Sequence, residues 1–196
     1  VDGGMPVVLL RAVDFGISGD ETPEKLNQNQ ELITRLNDIR IQTGAMMNLG
    51  DVTDKVIPKM SLLSPPQNGG HISTRTFIPK VCHASIGVLG AASVAVGCMV
   101  PNALCADFTN IKPASQSTVR IEHPSGCFDV SLEIRPGEVK LGGRKPEELM
   151  SGNSAPIIDK VGLLRTARIL MRGSVLIPCS LWAGPGSAPP SDTKQA

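Results

Sequence analysis

The longest apolar run of the chain, "IGVLGAASVAVGCMV" from Ile86 to Val100, carries no charge and shows no polar face. A helix that is apolar all round is buried all round. The pattern therefore predicts a helix over 86–100 enclosed by the rest of the chain. The run is shorter than the roughly 20 apolar residues that a membrane span needs, so no membrane partner is expected. Ser85 stands where an N-cap belongs, and Pro101-Asn102 stops the helix. The abundant Ala and Gly let neighbouring backbone come close.

The segments around this helix read mostly as strands. "PVVLLRAV" (Pro6 to Val13) is a short apolar run. "KMSLLS" (Lys59 to Ser64) and "HISTRTFIP" (His71 to Pro79) flank the turn-rich "PPQNGG", a hairpin signal. "STVRIEHP" and "CFDVSLEIRPG" flank Ser125-Gly126, and in the second Phe128, Val130, Leu132 and Ile134 alternate with polar residues, the period of a half-buried strand. "EVKLGG" (138–143) reads as a further strand. "VGLLRTARILMRGSVLIP" (161–178) reads as a strand, or a strand pair broken at Gly173. Between Gln28 and Leu49 the spacing changes: Leu32, Leu36, Ile39 and Met46 fall on one side, which predicts an amphipathic surface helix. The Pro- and Ser-rich end, 184–196, is low in apolar residues and predicts a disordered tail. Residues 1–183 then form one domain.

Composition narrows the classes. Apolar residues make up 41% and charged residues 19% of 196, ordinary for a globular chain with a real core. The net charge of +1 and an aromatic content of 3%, with no Tyr, give no basis for a nucleic-acid partner. The core must be aliphatic. The five cysteines (Cys82, Cys98, Cys105, Cys127 and Cys179) form no C-x-x-C, and the three histidines lack ligand spacing, so neither a metal nor another cofactor is expected. An odd count suits a reducing cytoplasm better than a disulfide framework. The first residues, "VDGGMPVVLLRA", lack a signal-peptide pattern. They also lack an initiator Met, which suggests a chain cut from something longer.

The adjacent Cys82 and His83 invite a nucleophilic reading. Neighbouring side chains point apart, however, and catalytic Cys and His normally come from distant segments, which disfavours a Cys-His hydrolase. No Gly-Lys-Ser/Thr follows the glycines, so a P-loop is excluded.

Four motifs in order, "GMPVVLLRAVDFGISG", "IPKVCHASIGVLGAASVA", "EHPSGCFDVSLEI" and "LLRTARILMRGSVLIP", resemble the second half of the 4-oxalomesaconate tautomerase and 2-methylaconitate cis–trans isomerase family. The resemblance covers nearly all of Asp2 to Pro178. It implies an α+β fold of the diaminopimelate-epimerase type: an antiparallel β-barrel wrapped around a central apolar helix, in a protein of two similar domains with the site between them. "FIPKVCHASIGVLGA" is closer in wording to the oxalomesaconate tautomerases. The family's first half carries an Arg-Gly-Gly-Thr-Ser-Lys stretch and its acid–base candidates. That stretch is absent here, so a first-half domain is the implied partner. The oligomeric state, a homodimer included, is left open.

The implied chemistry is a 1,3-proton shift on a small unsaturated tricarboxylate. Such a site needs sinks for carboxylates and donors for the charge of the transition state. A buried helix N-terminus is one such sink, and His83, Ala84, Ser85 and Ile86 are expected to present its N–H groups. The family carries the tetrapeptide "HPSG" at its active site, which makes Ser125 and Gly126 substrate-binding candidates. Cys82 is the one acid–base candidate of the chain, although related epimerases place their cysteine nearer the helix, at about Gly87. His123, Arg165, Arg168 and Asp14 read as structural. A reading from another class, a non-catalytic tricarboxylate-binding module with the same cradle, fits a chain without its first half.

Overall fold

The computed structural model of the chain describes residues 1–100, 103–109, 111, 114–135, 156–164, 167–178, 180–182 and 184. Contacts divide it into two units, 1–165 and 166–196. The first contains strands β1 (Val7–Arg11), β2 (Lys59–Ser64), β3 (Ile72–Phe77), β4 (Gln116–His123), β5 (Gly126–Arg135) and β6 (Ile157–Leu164), joined in chain order as one six-stranded sheet. Its helices are α1 (Pro23–Gln28), α2 (Gln30–Met46) and α3 (Val88–Met99), with short 3-10 turns at Ala12–Phe15 and Leu104–Asp107.

Both expected hairpins form. β2 and β3 pair antiparallel from Met60 opposite Phe77 to Ser64 opposite Ser73, and β4 and β5 from Gln116 opposite Glu133 to His123 opposite Gly126. Alternation in β5 buries Phe128, Val130, Leu132 and Ile134 and leaves Ser131 and Glu133 exposed. The expectation of an antiparallel sheet needs correction at two seams: β1 with β2, and β3 with β4, run parallel. At both, helices lie between the strands, α1 and α2 in one case and α3 in the other. A helical crossover carries the chain back to its starting end, so the next strand runs the same way. The result is a mixed α+β sheet.

The central helix is present and packs against β1, β4, β5 and β6, strands from both sides of it in sequence. Ala91, Val94, Ala95, Cys98 and Met99 share a core with Ile72, Ile121, Val130 and Leu132. Two expectations about its start are corrected. The helix begins at Val88, with Gly87 as an extended cap residue, and no side chain caps it, Ser85 included. Val88 and Leu89 are exposed by about half, 49% and 48%, so burial begins only at Gly90. A local turn takes up the preceding residues: the Ser85 N–H donates to His83 Nδ1 at 2.9 Å. That contact leaves Ser85 outside the helix.

A second core lies against α1 and α2 and contains Leu26, Leu32, Leu36, Met60, Leu62 and Phe77. Leu63 of β2 belongs to the first core and its neighbour Leu62 to the second, the two faces of one strand. On α2 the apolar spacing fails at its end: Met46 is 83% exposed, while Arg40 is 1% exposed. Arg40 is buried because it donates to the carbonyls of Val52 (2.7 Å), Lys55 (2.9 Å), Ile57 (3.0 Å) and Thr53 (3.2 Å), and to Asn37 Oδ1. An irregular segment with unpaired carbonyls is itself a partner for guanidinium.

β6 begins before the stretch read as strand, and residues 167–178 of the second unit carry no regular secondary structure. The expected strand at 138–143, the helix stop at 101–102, Arg165, Cys179 and the tail 185–196 lie outside the described residues.

Candidate active site

The crossover through α3 brings the carboxyl end of β3, the amino end of α3 and the carboxyl end of the parallel strand β4 to one place. Sheets with parallel strands leave their binding crevices at such strand ends. The loop after β3 turns back sharply. Cys82 bridges Phe77, the Cys82 N–H donates to Asn27 Oδ1 of α1 at 2.7 Å, and the His83 N–H donates to the Thr76 carbonyl at 2.8 Å. These contacts fix where His83 and Ser85 emerge.

From the other side comes the turn between β4 and β5. Gly126 has φ +146°, a conformation that side chains rarely adopt, and a methyl there would stand 3.8 Å from the His123 ring. The His123 ring spans the two segments. Its Nε2 lies 3.4 Å from Ser85 Oγ and its Nδ1 lies 3.3 Å from Ser125 Oγ. Phe128 of β5 backs the ring, with centroids 5.3 Å apart and a tilt of 51°.

The local field is positive. Burial lowers the His123 pKa, a hydrogen bond to the Cys127 backbone opposes this, and His83 and Arg75 lower it further. Arg75 of β3 is 7% exposed. It donates to the carbonyls of Glu21 (2.7 Å) and Thr74 (3.0 Å) and to Ser73 Oγ (3.5 Å), and among the described residues it makes no carboxylate ion pair. Burial lowers its pKa too, yet a guanidinium stays charged.

Four of the predicted site residues thus converge: His83, Ser85, Ser125 and Gly126. Ile86 is buried in the core of α3, so only its backbone could serve a ligand. Cys82 points into the second core, donates weakly to the His83 carbonyl (3.8 Å), and is pushed by burial to a pKa of about 11. The amide cradle also shifts. The His83 and Ser85 N–H groups are engaged inside the loop, and the first helical hydrogen bond runs from Ala91 N–H to the Gly87 carbonyl at 2.8 Å. The helix donors without a side-chain cap are therefore those of Val88, Leu89 and Gly90. Sequence reasoning missed His123 and Arg75. His123 had a signal, its place in "HPSG", whereas Arg75 looks like any charged residue in a hairpin. Among the described residues, no three His, Cys, Asp or Glu side chains converge as metal ligands.

Comparison with known proteins bears on the family and the fold. The family model for PrpF protein matches residues 1–178. The chain is 43% identical over 185 residues to a 4-oxalomesaconate tautomerase of Pseudomonas putida, covering 94% of this chain and 46% of that protein. It is 40% identical over 177 residues to a (4E)-oxalomesaconate Delta-isomerase of Novosphingobium sp., covering 90% and 44%. A 2-methyl-aconitate isomerase of Shewanella oneidensis is 24% identical over 198 residues, covering 91% and 45%. The crystal structure of a methylitaconate-delta-isomerase superposes with a TM-score of 0.57 at 16% identity, over 81% of this chain and 42% of that one, a likeness of fold. The chain spans about half the length of the curated relatives it matches.

Proposed function

The chain belongs to the PrpF protein family, and from that premise we propose that it forms the carboxylate-binding half of an isomerase that shifts a proton along a small unsaturated tricarboxylate. The observation that carries this reading is the Ser85–His123–Ser125 array beside the open N-terminus of α3. Two hydroxyls, the nearby positive charge of Arg75, and uncapped helix amides are what a polycarboxylate requires.

The proposed substrate is 4-oxalomesaconate. Identities of 43% and 40% to enzymes named for oxalomesaconate, against 24% to one named for 2-methylaconitate, favour it. In this reading the chain binds and orients. Serine hydroxyls and helix amides hold carboxylates and stabilise the dienolate-like charge. The proton-transfer pair comes from a preceding domain, since the Cys82 thiol is protonated at neutral pH and faces the core. That domain also closes the cleft and excludes water. The four free cysteines among the described residues fit a cytoplasmic protein.

The test is turnover of 4-oxalomesaconate and of 2-methylaconitate by the full-length protein, followed by deuterium incorporation. Turnover of neither sinks the reading. Isomerisation by residues 1–196 alone would show that the acid–base pair lies inside this chain.

A further inference from the structure

A neutral imidazole has one N–H and one lone pair, whereas an imidazolium has two N–H groups. His123 contacts a serine hydroxyl with each ring nitrogen. When the ring is neutral, one serine accepts from it and keeps its own proton to offer a ligand. The other must donate to the ring, and turns lone pairs toward the ligand. When the ring is charged, both nitrogens carry an N–H; the Cys127 backbone shares one of them, both serines can accept, and both hydroxyl protons face outward.

Resting on the tricarboxylate-binding reading above, we propose that His123 is a positioning residue that takes up a proton from solvent when a polycarboxylate binds, so that Ser85 and Ser125 both become donors to the ligand. A carboxylate that touches both serines meets a lone pair at one of them while the ring is neutral. Protonation removes that conflict and adds a positive charge behind the hydroxyls.

The groups facing His123 explain why the proton waits for the ligand. Arg75 on β3 and His83 before α3 oppose charge on the ring. Phe128 on β5 covers one side of it, and only the Cys127 backbone hydrogen bond favours the charged form. Glu122, the preceding residue on β4, is turned away, with its carboxylate on the amides of Gln67, Asn68 and Gly70. Among the described residues no carboxylate hydrogen-bonds to His123. Burial first, and then the neighbouring charge, hold the ring pKa below its ordinary value, and a polyanion supplies the missing counter-charge.

The test is nitrogen NMR of the His123 imidazole in the full-length protein, with trans-aconitate as the probe. Saturation at neutral pH should move both ring nitrogens to doubly protonated values and raise the ring pKa by roughly one unit or more. Affinity should fall with rising pH by up to about tenfold per unit. His123→Gln, which keeps a donor and an acceptor but cannot titrate, should lose that slope. Binding with an unchanged, neutral His123 would overturn the inference and leave the tricarboxylate reading standing. Failure of trans-aconitate to bind at millimolar concentration would overturn both.

Discussion

The Glu122 carboxylate lies 2.8 Å from the N–H of Gly70, and it also accepts the N–H groups of Gln67 (2.8 Å) and Asn68 (2.6 Å). One buried side chain, adjacent to His123, thus closes the turn between β2 and β3. A methyl on Gly70 would collide with it, so the turn and the carboxylate specify each other. Burial raises the Glu122 pKa, the three amides lower it, and the amides prevail.

Glu122→Gln should destabilise the fold by about 2 kcal/mol, because the new amide turns an N–H group toward N–H donors. The melting temperature should fall by about 5 °C. Because the folded-state pKa lies below the ordinary 4.5, this stabilisation is complete above that pH and is lost as pH falls through the folded value. Melts of both proteins should converge in acid. An equal gap at pH 7 and pH 3 would remove Glu122 from the acid sensitivity.

Ala92→Asp should abolish folding. Ala92 is 2% exposed within α3, and an unpaired buried carboxylate costs several kcal/mol against a total stability of about 5–15 kcal/mol. A folded variant with an unchanged melt would mean that α3 is not the core.

Arg40→Met should cost about 3 kcal/mol. It removes the common donor of four carbonyls between Val52 and Ile57. Amide exchange should accelerate most across 52–57. Uniform acceleration across the chain would instead indicate a global effect.

Ser125→Ala in the full-length protein should leave the melt unchanged and lower kcat/KM by about 10²–10³. Its hydroxyl bonds an exposed ring nitrogen at a turn and supports little of the fold. Unimpaired turnover would take Ser125 out of the site.

Alkylation should distinguish the cysteines. Cys127 is exposed, whereas Cys82, Cys98 and Cys105 are buried, and burial pushes Cys82 to a pKa of about 11. Iodoacetamide at neutral pH should label Cys127 before the other three cysteines of the described residues and reach Cys82 only on unfolding. Rapid labelling of Cys82 in the folded protein would restore it as an acid–base candidate.

Local chemistry was legible where neighbours in sequence are neighbours in space. The turns at "PPQNGG" and Ser125-Gly126 announced two hairpins, and alternation around Phe128 to Ile134 named the buried face. The parallel seams were not legible, because each depends on a helix that returns the chain to one end, and no alternation records strand direction. Met46, expected on the apolar face, is exposed, and nothing in the spacing marked Arg40 for burial, because the carbonyls that hold it lie twelve or more residues away. At the site, the resemblance named Ser125 and the expected helix start named Ser85, but their link through His123 is a meeting of separate segments, and Ser85 contacts the ring rather than capping the helix.

A sheet whose strand order is its chain order can be assembled as the polypeptide leaves the ribosome, because each new strand finds its partner at the growing edge. The helix α3 is the exception. It emerges after β3, yet several of its walls are β4, β5 and β6. From Gly90 to Met99 it waits partly uncovered, with only the earlier strands beside it, while residues 100–164 are made, an interval on the order of ten seconds at about 5–20 residues per second. That interval is when a chaperone has an apolar segment of this chain to hold.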